Sequence, residues 1–155
     1  MIAEVDGKVF LEQGMPPIKM PMTAGQLHKL TGMSLKEINE LEKHGFIKPI
    51  KQGTKNYFTD EDIQLVENWA KIHSIGFLHE QGFNVSHTLK MYRDSMDRMT
   101  EQEALLILNN LPGKVEPQTL INMIEKALTP MTIILQILHK RSIVKTVAEY
   151  GKSIS

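Results

Sequence analysis

At four candidate helix starts along this chain a hydroxyl residue is followed, three positions later, by a side chain that can accept a hydrogen bond. The pairs are Thr23 with Gln26, Ser34 with Glu37, Thr59 with Asp62, and Thr100 with Glu103. At that spacing the hydroxyl accepts from an N–H of the first helical turn, and the acceptor reaches back to the N–H of the hydroxyl residue. Two otherwise orphaned donors are satisfied together, so each pair marks a helix start. Gly32 and Gly45 stand where the first two helices have to stop, because the left-handed residue that closes a helix is cheapest without a Cβ. The punctuation predicts helices at about 24–31, 35–44, 60–75, 86–97, 101–111, 117–128 and 130–149. Pro117 and Pro130 then fall in first turns, where a missing N–H costs nothing.

Other segments read differently. Val5, Val9 and Leu11 flank Asp6-Gly7, a strong tight-turn signal, and predict a hairpin over about 2–12. Pro16, Pro17 and Pro21 break regular structure before Thr23. Between Phe46 and Phe58, Pro49 and Gly53 interrupt two β-compatible runs, Phe46-Ile47 and Tyr57-Phe58, which suits a two-stranded wing. Two Gly-Phe pairs, at Gly76 and Gly82, could each precede the fourth helix. The second gives the better start at Ser86 and implies a longer third helix or an inserted turn.

Composition removes several classes. The chain has no Cys, which excludes disulfides and thiolate metal sites. None of the six His stands four residues from another, so no helical metal pair is expected. Phosphate-loop, dinucleotide and zinc-protease motifs are missing, and the acids Asp60, Glu61 and Asp62 suit a helix N-terminus without any chemistry. No enzyme activity, metal or cofactor is expected. The first residues lack a secretory pattern, and no apolar stretch reads as long enough to cross a bilayer, so a cytoplasmic, nucleoid-associated protein without membrane contact is expected. Trp69 and most of the ten Met read as core. Although the net charge is zero, residues 23–58 carry six Lys against three Glu. Such a local basic excess either holds phosphates or is simply a solvated face.

Residues 23–62 form a unit in this reading. Two short helices around Thr31–Met33 make a helix-turn-helix, locked by Leu27, Leu30, Met33, Ile38 and Leu41, and the second helix is the one that enters a major groove. The runs MTAGQLHKLTGMSLKEINELEKHGFIKP and KNYFTDEDIQLVENWAKI resemble the DNA-binding domain of MerR-family regulators. Shared features are Thr-x-x-x-Leu-x-x-Leu-Thr-Gly, Ser34 at the start of the recognition helix, and Glu42-Lys43-x-Gly45-Phe46-Ile47-x-Pro49. The Thr59-Asp60-Glu61-Asp62 helix start matches as well. The fold class expected is therefore mainly α: a hairpin arm over 1–22, a winged helix-turn-helix over 23–97 and a helical segment over 98–155.

The resemblance implies double-stranded DNA as partner. Its candidate contacts are Ser34, Lys36, Asn39, Glu40 and Lys43 on the recognition helix, with Lys48, Lys51, Lys55, Asn56 and Tyr57 on the wing. Lysines would hold phosphates, and Asn39 would read an adenine edge. Tyr57 suits either a backbone contact or burial at the base of the wing. The family carries Arg and aromatic residues where this chain has Asn39, Glu40 and Leu41, and a wing Arg where it has Asn56. An excisionase-like or nucleoid-organising architectural protein therefore stays open, as does a protein-interaction adaptor that has lost DNA. The C-terminal segment shows apolar faces at Leu105, Leu106, Leu108 and Leu111, at Leu120, Ile124, Ala127 and Leu128, and at Ile134, Ile137, Leu138, Val144 and Val147. Those faces suit either packing on the N-terminal module or a homodimer.

Overall fold

The computed structural model describes residues 20–77, 79–111 and 113–154. The hairpin expected over 2–12 lies outside these residues. The chain is mainly helical and divides into two compact units, Met1–Arg98 and Met99–Ser155.

Three of the four hydroxyl–acceptor pairs start helices as the sequence predicts. Helix α1 is Ala24–Thr31 with Thr23 as N-cap, α2 is Leu35–Lys43 with Ser34, and α3 is Asp60–Ile75 with Thr59, each closed by a reciprocal capping box. Gly32 ends α1 with φ 73°, and its N–H donates to the His28 carbonyl. The turn between α1 and α2 is tied a second time, where His28 Nδ1 lies 2.6 Å from the Met33 carbonyl. A carbonyl only accepts, so Nδ1 carries the proton.

Between α2 and α3 lies an antiparallel ribbon of β1, Ile50–Gln52, and β2, Lys55–Tyr57. The strands fall later than the predicted run Phe46-Ile47, because Ile47 is drawn into the core and Pro49 cannot donate to a ladder. Gly53, φ 62°, opens the two-residue turn. Beyond β2, Phe58 exchanges two backbone hydrogen bonds with Met22, which fastens the ribbon base to the segment entering α1.

The core of this unit is small and continuous. Leu27, Met33, Ile38, Leu41, Ile47, Phe58, Ile63, Val66, Trp69 and Val85 are all buried in one cluster. Leu30, predicted as part of the seam, is instead 48% exposed. It lines a shallow hollow with Glu67, Ala70, Lys71 and Ser74 of α3. Helix α3 ends at Gly76, φ 116°, so the inserted turn is realised: a 3₁₀ turn, His79–Gln81, precedes the next helix.

Two predicted breaks do not occur. Helix α4 runs unbroken from Val85 to Asn110, so Thr100 and Glu103 lie inside it. An N-cap forms only where the preceding chain leaves the helix, and no Gly or Pro between Asp97 and Glu101 makes it leave. Helix α5 likewise runs from Pro117 to Ile154, with Pro130 in its interior. Pro117 occupies the first turn as predicted. Pro130 forfeits one backbone bond without ending the helix. The joined helix also corrects the expectation about length, since by length and composition α5 is long and apolar enough to cross a membrane.

Candidate nucleic-acid interface

Helix α2 turns Ile38 and Leu41 inward. Residues at i, i+3, i+4 and i+7 share a helical face, so the opposite side carries Lys36, Asn39, Glu40 and Lys43 together. Lys36, Asn39 and Lys43 are exposed, and Glu40 is half-buried. Ser34 begins this face, but its hydroxyl is engaged in the cap. It donates to Glu37 Oε2 at 2.8 Å and accepts from the Glu37 N–H at 3.2 Å.

An acidic rim borders the same end of α2. Ser34, Lys36, Glu37 and Glu40 line a shallow hollow with Glu80 of the 3₁₀ turn. Sequence reading assigned Glu80 no part here, because only the fold brings it beside α2. The positive charge on the face is thus concentrated at Lys36 and at Lys43, a helix length apart.

The ribbon distributes its polar residues over two sides. Its register pairs Ile50 with Tyr57, Lys51 with Asn56 and Gln52 with Lys55. Directly opposed residues share a side and neighbours along a strand alternate. Lys51 and Asn56 therefore lie on one side, whereas Lys55 and Tyr57 lie on the other with Ile50 and Gln52. Lys51 and Asn56 are exposed, while Tyr57 is half-buried beside Phe58. Lys48, Lys51 and Lys55 thus do not form one row, a fact that depends on pairing register and is invisible in residue spacing.

Two long-range links went unrecognised in the sequence. Asp62 caps α3 through one oxygen, which accepts from the Thr59 N–H at 3.2 Å, while its other oxygen accepts from the Lys48 N–H at 3.3 Å. One carboxylate thereby fixes the ribbon entrance to α3. Arg93 of α4 binds the far end of α2, donating to the His44 carbonyl. Neither partner is near in sequence, so no local pattern reveals the link. On the same helix Lys90 donates to Asp94, and that hydrogen bond holds the Asp94 carboxyl below its ordinary range.

No group of three or more His, Asp or Glu among the described residues is placed to hold a metal ion. No protein-family model matches the chain, and neither the curated proteins nor the solved structures give a significant match.

Proposed function

We propose that this protein is a homodimeric DNA-binding transcription regulator with a MerR-like winged helix-turn-helix, acting in the cytoplasm at the nucleoid. One observation carries the reading. A short helix, α2, is locked to α1 by a three-residue turn and leaves Lys36, Asn39 and Lys43 exposed on the side away from its core contacts. A ribbon with exposed Lys51, Lys55 and Asn56 follows directly. In this reading α2 enters a major groove, Asn39 reads a base edge, and the lysines hold phosphates. Dimerisation through the C-terminal helices would set two such modules on two half-sites. Leu105, Leu106, Leu108, Ile121 and Leu128 are all exposed there, which supports assembly with a second copy.

Fluorescence anisotropy of the full chain against a pooled genomic duplex library, from low to physiological salt, tests the reading. Binding of a selected subset with affinity falling steeply as salt rises is the expected result. Salt-independent binding, or none at low salt, overturns it. The acidic rim of Glu37, Glu40 and Glu80 favours one second reading, an adaptor that presents this face to a basic protein partner. For an adaptor, reversing Lys51 and Lys55 would leave partner binding intact.

A further inference from the structure

Helix α2 presents four residues at a spacing by which a single helix reads a major groove. Lys36, Asn39, Glu40 and Lys43 stand at i, i+3, i+4 and i+7, the same intervals as the groove-reading positions of a homeodomain recognition helix. At about 100° per residue, Lys36 and Lys43 run along the middle of that face. Asn39 flanks them on one side and Glu40 on the other, the side on which α2 meets the 3₁₀ turn. The long lysine side chains can pass the base edges to reach phosphates, which leaves Asn39 and Glu40 as the pair at the bases. One member of that pair is an acid.

Glu37 and Glu40 share an edge of α2, yet only the first is spent. Glu37 Oε2 accepts from the Ser34 N–H at 3.0 Å and from the Ser34 hydroxyl at 2.8 Å. Its other oxygen lies 3.8 Å from His73 Nδ1 of α3. The Glu40 carboxylate has no such partner among the described residues. Lys36 stands four positions before it and Lys43 three after, spacings at which side chains on a helix meet, and neither pairs with it. Glu40 is half-buried, so part of its stem is packed while its carboxylate stays unengaged.

An ionised carboxylate only accepts hydrogen bonds. In a DNA groove it is repelled by the phosphates of both strands, and it finds no donor on guanine O6 and N7 or on thymine O4. Two donors alone face the major groove, the N6 amino group of adenine and the N4 amino group of cytosine. Adenine sets its N7 acceptor beside the amino group, where it opposes the second carboxylate oxygen. Cytosine sets a ring C–H there. Cytosine is therefore the base that satisfies Glu40, whereas Asn39, which both donates and accepts, matches adenine at N6 and N7 together.

We propose that Glu40 is a specificity-determining residue, accepting from the N4 amino group of a cytosine in each half-site. The inference rests on the proposed reading of α2 as a recognition helix. It gives the acid on an otherwise basic face a role. A carboxylate there lowers affinity for every duplex, and least for the one that offers it a cytosine amino group, so general affinity is exchanged for discrimination.

Selection from a randomised duplex library, followed by anisotropy on single duplexes, tests this with the full chain. Wild type is expected to retain sites with an invariant cytosine in each half-site, and thymine in its place should lower affinity about tenfold, the scale of one base contact. Glu40→Gln keeps the shape of the side chain and adds a donor, so the base favoured at that position is expected to change from cytosine to adenine. Glu40→Ala is expected to leave the position without preference while affinity for a scrambled duplex rises, because one repulsive charge has gone. A merely structural role for Glu40 would not move the base preference at a single position. Selected sites without an invariant cytosine, or a cytosine preference unchanged in both variants, overturn the inference and leave DNA binding standing. A wild type that binds no duplex at any salt overturns the DNA-binding reading itself, and this inference with it.

Discussion

The guanidinium of Arg93 donates to the His44 carbonyl at 3.0 Å and lies 4.4 Å from the centre of the Phe46 ring. His44 closes α2 and Phe46 leads into the ribbon, so one side chain of α4 holds the junction between the two candidate DNA-contacting elements. Replacing Arg93 with Ala removes a charged hydrogen bond and a cation–π contact and is expected to cost about 1 kcal/mol. Lysine restores the charge but not the flat guanidinium that both donates and stacks, so Arg93→Lys should recover less than half. Urea denaturation of both variants measures this.

Asp62 serves two elements with one carboxylate. Asp62→Ala removes the reciprocal half of the α3 capping box and the hold on the Lys48 N–H, and should cost about 2 kcal/mol, the upper end of capping effects. Asp62→Ser keeps a capping oxygen but is too short to reach Lys48. A smaller stability loss, with weaker DNA binding than wild type, is therefore expected, read by urea denaturation and anisotropy.

Ribbon register predicts unequal roles for the two wing lysines. Lys51 shares the exposed side with Asn56, whereas Lys55 shares the side of half-buried Tyr57. Lys51→Glu should weaken DNA binding more than Lys55→Glu. It should also reduce the slope of log affinity against log salt by about 1, the contribution of one phosphate contact. Anisotropy titrations at four salt concentrations separate the two variants.

Trp69 is buried against His73, their rings 5.5 Å apart edge to face, and its Nε1 has no hydrogen-bond partner among the described residues. Its value to the fold is therefore volume and ring contact. Trp69→Phe keeps most of the buried ring and should cost less than about 2 kcal/mol, whereas Trp69→Ala should cost about 3–5 kcal/mol through the cavity it leaves. Thermal unfolding of the two variants gives the comparison.

Pro130 interrupts the backbone bonding of α5 without ending it. Pro130→Ala restores one N–H donor and relieves the ring clash, so the second unit should gain up to about 3 kcal/mol. A rise in the melting temperature followed at 222 nm is the expected outcome.

Local chemistry alone fixed helices α1, α2 and α3. Thr23, Ser34 and Thr59 satisfy their own first turns, and Gly32 supplies a backbone conformation that other residues adopt at a cost. Such contacts span three or four residues, so the sequence displays them directly. The same kind of signal misled at Thr100 and Pro130, because a cap or a proline acts on a helix only if its surroundings let the chain leave, and there they do not. Half of the small core, namely Leu27, Met33, Ile38, Leu41 and Trp69, was legible in the sequence, while the exposure of Leu30 was not.

Tertiary structure alone decided the pairing of Lys51 with Asn56, the approach of Glu80 to α2, and the links of Asp62 to Lys48 and Arg93 to His44. Each joins groups whose separation in sequence carries no periodicity. The faces of α5 belong to both levels. At about 100° per residue, Ile134 and Leu138 do not share a stripe with Val144 and Val147, contrary to the sequence expectation. That spacing was always present in the sequence, but it became a statement about different sides only once the chain was seen to run as one helix through Pro130.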